Sequence, residues 1–319
     1  MGKLRLIDAA PCDLVNGGSA RTNGSSAAPT VDDLVSEIIS RNPDTGSAHA
    51  NGGLGRRRQA RPTISIVIPA LNEEPNLPFV LPKIGGWASE VILVDGRSTD
   101  RTLATAAALY PDIRFVHQTD SGKGAALRAG FQAARGDIIV MLDADGSTDP
   151  AEIPAFVGAL VAGAEFVKGT RFSQGAGTGD MSVLRRLGNR CLVLAVRLLF
   201  GGRFSDLCYG YIAFWKRVLP QLDLDSDGFE IETQMSVQAL KARLRVAEVP
   251  SHEYRRIHGK SNLRTFPDGW RVLKTIFRER FRRTKRVARN DRRRTLPTVS
   301  NDAAVNARRR ICQPLRPTC

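Results

Sequence analysis

Residues 137–149 read DIIVMLDADGSTD. The apolar run from Ile138 to Leu142 shows no alternation of wet and dry positions, so it suits a strand buried on both faces. Such strands belong to parallel sheets covered by helices on either side, which confines the chain to the α/β class. Two carboxylates one residue apart, Asp143 and Asp145, close the run. In open α/β sheets, ligands bind just beyond the carboxyl ends of the strands. Short acidic side chains there suit a hard cation such as Mg²⁺ or Mn²⁺, which binds through one or two carboxylates plus substrate phosphates. The same residues equally suit a turn. Asp149-Pro150 is a strong helix start, with Asp as the cap and Pro in the first turn.

The pattern repeats along the chain. Strands are expected at 64–69, 91–95, 113–116, 137–142 and 165–168. Helical periodicity covers 102–110, 124–135, 150–162, 183–200 and 229–242. Strand–helix alternation with β-branched, buried strands predicts a mostly parallel sheet with flanking helices in a single domain. No internal repeat is visible. Three strand ends then share one sheet edge: Pro69-Ala70-Leu71-Asn72-Glu73-Glu74, Asp95-Gly96-Arg97-Ser98-Thr99-Asp100 and Asp143-Ala144-Asp145. Carboxylates crowded on one edge repel one another unless a cation or a hydrogen-bonding ligand sits among them. Taken together the three ends predict a site.

Charge is segregated. Of the net +15, the last 50 residues contribute 16 basic against 3 acidic side chains, while residues 64–269 balance at 23 of each. The dense part, RERFRRTKRVARNDRRR at 278–294, suits a solvated run, an anionic membrane surface or nucleic acid. Without interleaved aromatics or a nucleic-acid module, the membrane ranks above nucleic acid. The five cysteines (Cys12, Cys191, Cys208, Cys312, Cys319) form no CxxC pair, and no basic start precedes an apolar run. A reducing, cytoplasmic setting without a secretory signal is therefore expected. Residues 1–62, rich in Gly, Ser, Ala and Asn, are expected to be disordered apart from a short helix at 31–39, as is the basic tail 284–319. That leaves 63–265 as the folded domain and 266–283 as a C-terminal helix.

PALNEE, VDGRSTD, GKGAALRAGF, DADGSTDP and GTRF occur in this order over about residues 64–265. This set resembles the family 2 inverting glycosyltransferases of GT-A fold, and within them the dolichol-phosphate and polyprenol-phosphate mannosyltransferases. The resemblance implies that Pro69, Leu71 and Glu73 line a nucleotide pocket and that Asp95 meets the base or ribose. It implies that Asp143, Ala144 and Asp145 hold the donor, with Asp143, Asp145 and Ser147 on a metal. Arg171 and Arg256 would bind phosphate, Arg256 on the donor diphosphate. Departures are Gly96 in place of a second Asp, Leu71 in place of an aromatic, and Asn262 in place of a lysine, with Lys260 two residues earlier. They leave GDP-mannose and UDP-glucose both open as donors.

Sugar transfer from a nucleotide diphosphate builds negative charge on the leaving group, which a divalent cation and arginines offset. A hydroxyl acceptor also needs a general base, for which Asp206 is the candidate, its plain alternative being a turn residue. A polyprenyl phosphate, with a second pKa of about 6, needs none and wants cations instead. Arg171, Arg185 and Arg190 are candidates, with Arg186 beside them, and each is also an ordinary surface residue. Within 183–200, Leu184, Leu187, Cys191, Leu194, Ala195 and Leu198 form one helical stripe flanked by arginines. Such a helix lies at a membrane interface or packs on a sheet. Its apolar stretch of about ten residues is short of the roughly 20 needed to span. His252 and His258 lack metal-ligand spacing. Glu230, Glu232 and Gln234 open a helix, where acids favour the dipole; the alternative for Glu230 is that it faces the site. The expected activity is inverting, metal-dependent hexose transfer to a polyprenyl or dolichyl phosphate, reached by peripheral attachment at the inner membrane face or through a membrane partner protein. The alternatives are a soluble hydroxyl acceptor, or a non-catalytic membrane- or nucleic-acid-binding role.

Overall fold

The structure is a computed structural model describing residues 61–179, 181–260 and 264–283. Nearly all of the two end segments, and the helix expected at 31–39, lie outside the described residues. Strand β1 (Ile64–Ala70) is buried along almost its whole length, as its apolar run requires. It pairs in parallel with β2 (Glu90–Asp95) on one side and β4 (Ile138–Met141) on the other. Before β2 come a short helix α1 (Leu77–Val80) and a 3-10 turn, Leu81–Lys83. Helix α2 (Thr102–Leu109) leads to the edge strand β3 (Arg114–His117), which pairs in parallel with β2. Helix α3 (Lys123–Ala133) leads to β4. Asp149 caps the following 3-10 turn by accepting from Ala151 N, and α4 (Ile153–Val161) continues from it to β5 (Phe166–Thr170).

The second half departs from the expected alternation. After the short β6 (Gly177–Thr178) and helix α5 (Val183–Phe200), strand β7 (Ile212–Trp215) inserts antiparallel between β4 and β5. Helix α6 (Ile231–Lys241) precedes β8 (Val246–Pro250), which pairs in parallel with β5 and forms the outer edge. β9 (His252–Glu253) pairs with β6, and α7 (Thr265–Phe281) closes the described chain. The sheet order is β3-β2-β1-β4-β7-β5-β8. Neither β7 nor β8 was expected from the sequence.

Successive side chains of the central strands point to opposite faces. Ile66, Ile68, Leu93 and Val140 pack with Leu77, Phe156 and Leu160 on one face, and Val67, Ile92, Met141 and Phe214 pack with Leu127, Phe131 and Met235 on the other. Gly130 lets α3 lie close to the sheet, since a Cβ there would stand 2.4 Å from Val67 Cγ1. The strand directions bring the carboxyl ends of β1, β2, β4, β5 and β8, and the segment leading into β7, to one edge of the sheet.

Candidate active site

The first two acidic loops are laced to each other. Ser98 Oγ accepts from Asn72 N at 3.0 Å, Asn72 Oδ1 accepts from Thr99 N at 2.8 Å, and Thr102 Oγ1 accepts from Glu73 N at 2.9 Å. Asn72 turns the chain with φ of 56°, a left-handed conformation that Asn tolerates better than most residues. Asp95 is buried and holds its own loop, accepting from Arg97 N and Ser98 N at 3.2 and 3.1 Å. Gly96 has a local reason: its N donates to Ala70 O at 2.8 Å, and a Cβ would come within 3.1 Å of that oxygen. Leu71 stands exposed above this floor.

The third loop is the ionic centre. Lys123 Nζ, at the start of α3, lies 2.7 Å from Asp143 Oδ1 and 2.7 Å from Glu232 Oε1. Burial, reinforced by the Asp145 and Glu232 carboxylates and opposed by Lys123, pushes the Asp143 carboxyl up to about 6. Lys123 is buried too, yet Asp143 and Glu232 hold it charged well above the ordinary lysine range. Gly210 makes room for the cluster: a Cβ there would sit 2.6 Å from Glu232 Oε1 and 3.2 Å from Asp143 Oδ2. Asp145 turns its loop by accepting from Ser147 N at 2.9 Å.

Arg256 ties the first and third loops together. Its Nη2 donates to both Glu73 oxygens at 2.7 Å, its Nη1 lies 3.3 Å from Asp145 Oδ2, and its Nε donates to His258 O at 2.6 Å. Asn76 steadies the same loop by accepting from His258 N at 2.8 Å. Gly146, with φ of 78°, lets Ile257 pack over the acidic loop, since a Cβ there would meet Ile257 Cδ1 at 2.5 Å. Ile257 N also donates to Asp145 O at 3.2 Å.

Two expectations need correction. Asp206 is fully buried and places both oxygens on Arg171, at 2.6 Å from Nε and 2.9 Å from Nη2. A carboxylate so enclosed cannot reach an acceptor hydroxyl, so the base role does not fit. Arg171 Nη1 donates to both oxygens of Glu253, at 3.0 and 2.9 Å. Its three charged nitrogens therefore serve two carboxylates, which makes it a clamp joining β5, β9 and the 206 segment rather than an open phosphate grip. Arg185, half-buried, and Arg190, exposed, stand on α5, whose Asn189 accepts from Leu207 N at 3.1 Å beside Asp206. Glu230 accepts from Gly228 N at 3.3 Å, and it is Glu232, two residues on, that reaches the cluster.

Lys123, Gly210 and Glu253 were not singled out from the sequence, and Glu232 was read there only as an acid opening a helix. Lys123 had a signal, the GKG that opens a helix after β3. Glu232 and Glu253 had none, because distant stretches of the fold bring them in. Among the described residues no three His, Cys, Asp or Glu side chains form a cage for a metal on their own. Asp143 and Asp145 with a diphosphate do fit one, since Mg²⁺ and Mn²⁺ take one or two carboxylates plus phosphate oxygens.

The sequence profile described as glycosyl transferase family 2 matches residues 65–222. Glycosyltransferase AglJ of Haloferax volcanii is 34% identical over 228 residues, covering 70% of this chain and 72% of that protein. The chain belongs to glycosyl transferase family 2. A second family relative, the polyprenol monophosphomannose synthase of Mycolicibacterium smegmatis, is 33% identical over 58% of this chain and 75% of its own length. Among solved structures, glucosyl-3-phosphoglycerate synthase from Mycobacterium tuberculosis in complex with Mn²⁺ and UDP-glucose superposes with a TM-score of 0.57 at 25% identity, covering 77% of this chain and 82% of that one. The GT-A architecture and the glycosyltransferase activity follow from this family membership, which excludes the purely non-catalytic reading.

Proposed function

We propose that this family 2 glycosyltransferase transfers a hexose, mannose or glucose, from GDP-mannose or UDP-glucose to a polyprenyl phosphate, with inversion. The observation that carries the reading is the ion-paired edge of the sheet, where Asp143 and Asp145 lie between Lys123 and Arg256. A diphosphate bound there meets two fixed cations. Pro69, Leu71, Glu73 and Asp95 line the nucleotide side, and Ala144 lies between the two carboxylates at the diphosphate. Mg²⁺ or Mn²⁺ on Asp143 and Asp145, with Ser147 adjacent, would supply Lewis-acid neutralisation of the leaving diphosphate. Arg256, bound to Glu73 and Asp145 in the free protein, is set to turn to the diphosphate as charge develops on it.

In the transfer, an acceptor phosphate oxygen bonds to the anomeric carbon from the face opposite the leaving group. The bond from that carbon to the diphosphate oxygen breaks, and the nucleoside diphosphate leaves with the electron pair. A phosphate monoester, with a second pKa of about 6, arrives largely ionised, so no base is required. The burial of Asp206 on Arg171 supports this acceptor over a hydroxyl, whose proton Asp206 would have had to take. Arg185 and Arg190, on the helix whose Asn189 is bonded to Leu207 N, are the cations proposed to meet the acceptor phosphate. The mannosyltransferase relative named for a polyprenol acceptor supports the lipid, and the neighbour crystallised with Mn²⁺ and UDP-glucose supports the metal and the donor class.

Among the described residues no helix is long and apolar enough to cross a membrane. We propose a peripheral position at the cytoplasmic face, held by an anionic surface or a membrane partner protein, which the lipid-phosphate acceptor of the reading calls for. The test is a donor panel of radiolabelled GDP-mannose and UDP-glucose with polyprenyl phosphate and Mg²⁺ or Mn²⁺. Label should move into the organic phase with one donor, and Asp145→Ala should lose about 10²-fold or more of that turnover. Label transferred only to water-soluble products would refute the lipid acceptor. Undiminished turnover by Asp145→Ala would refute the site.

A further inference from the structure

Helix α7 is docked through its polar side. Glu279 is fully buried and accepts from Gln234 Nε2 at 2.9 Å, Gln238 Nε2 at 2.6 Å and Lys241 Nζ at 3.1 Å, all on α6. Arg282 pairs with Asp223 at 2.6 Å and with Asp225 at 2.9 Å. Only Val272 and Ile276 join the apolar contact beneath, with Val196 of α5 and Val237 of α6. What α7 turns outward is aromatic: Phe266, Trp270, Phe277 and Phe281 are exposed, Trp270 by 68% and Phe281 by 83%. Their spacing, four, seven and four residues, sets them on one side of the helix.

The adjoining α5 does the same. Its apolar stripe does not pack on the sheet; Leu184, Leu187, Leu194 and Leu198 are exposed, and the side it buries carries Asn189 and Val196. So many exposed large apolar side chains on two helices that pack together mark an interaction site. The charges around it select the occupant. α5 contains Arg185, Arg186, Arg190 and Arg197 and no acidic residue. On α7 the two acids, Asp268 and Glu279, are buried, while Arg271, Lys274 and Arg280 are exposed. A second copy of the chain would bring the same basic rim against it and be repelled, as would the chain's own basic tail. Anionic lipid headgroups complement it, and aromatic and leucine side chains between basic ones are the composition of helices that lie in a bilayer interface.

We propose that α7, together with α5, is a bilayer-docking face for anionic membranes, with Phe266, Trp270, Phe277 and Phe281 as its inserting side chains. The polar anchor on Glu279 is what keeps that aromatic side outward. The face rests on the lipid-acceptor reading for its purpose alone, and its test needs no substrate.

The full chain is mixed with vesicles of phosphatidylcholine alone, or of phosphatidylcholine with phosphatidylglycerol, lacking any polyprenyl phosphate. Co-sedimentation is expected with the anionic vesicles. Trp270→Ser combined with Phe281→Ser should weaken it by about tenfold. Tryptophan emission of the wild type should be quenched by lipids brominated in the acyl chain, and Trp270→Phe, which retains Trp87 and Trp215, should lose that quenching while still binding. This second measurement stands even if the double serine variant misfolds. Undiminished binding by a folded double variant, quenching that survives Trp270→Phe, or concentration-dependent self-association without vesicle binding would each overturn the proposal. Vesicle binding without hexose transfer would leave the docking face standing and sink only the substrate reading.

Discussion

Arg171 and Arg256 show how one residue type takes two roles from its surroundings. Both carry a guanidinium shared by two carboxylates. Arg256 is half-buried and its partners Glu73 and Asp145 lie on loops proposed to hold the donor, where a diphosphate would compete for it. Arg171 and Asp206 are sealed from water, and breaking a buried pair by removing one charge costs about 3–5 kcal/mol. Asp206→Asn keeps the shape and removes the charge. Its expected effect is a lower melting temperature, with transfer by the surviving folded fraction near the wild-type rate. A base would behave in the opposite way, losing turnover with little change in thermal stability. Melting curves paired with initial rates per folded molecule separate the two.

At the scale of elements, the strands that build the site were the legible ones. β1, β2 and β4 are runs buried on both faces, and their composition is dictated by that burial alone. β7 was hidden because its four residues, IAFW, follow a loop with no hairpin signal, and its antiparallel insertion between β4 and β5 depends on partners far along the chain. β8 carries Glu248 in its middle and ends in Pro250, a pattern tolerated at an edge and unlike a core strand. The amphipathicity of α5 was legible, but helical period does not say which side meets protein. The acidic loops were legible because they end strands; Lys123 and Glu232 converge only in three dimensions.

One link between elements also titrates. Glu152, in the turn before α4, accepts from His252 N at 3.0 Å and from the Ser251 hydroxyl, joining that turn to the β8–β9 corner. Burial raises its carboxyl above the ordinary value, against the hydrogen bonds that lower it. For a raised carboxyl, the folded state binds the proton more tightly than the unfolded chain. The resulting stability is present below the unfolded pKa and is lost as pH rises through the folded pKa. The melting temperature of Glu152→Gln, compared with wild type across the carboxylate range, should reveal this. The difference, wild type minus variant, is expected to shrink as pH rises; a difference independent of pH would remove Glu152 from the titration.

For the whole molecule, the separation of charge from fold predicts two kinds of membrane attraction that can be measured apart. The site-bearing region is electrically balanced, while residues 284–319 carry 10 basic and 2 acidic side chains. Each basic residue near an anionic surface is worth roughly 1 kcal/mol and acts within a Debye length of about 10 Å at 0.1 M salt. Burial of the α7 aromatics is a solvent effect that salt does not screen. Deleting 284–319 should therefore lower affinity for phosphatidylglycerol vesicles strongly at low salt and little at high salt. The binding that is left should vary less steeply with ionic strength than that of the full chain. Transfer to a short-chain, water-soluble polyprenyl phosphate should be unchanged by the deletion, because every residue of the proposed donor site precedes residue 257. A truncated chain that keeps the full salt dependence would show that the helices, and not the tail, supply the electrostatic attraction.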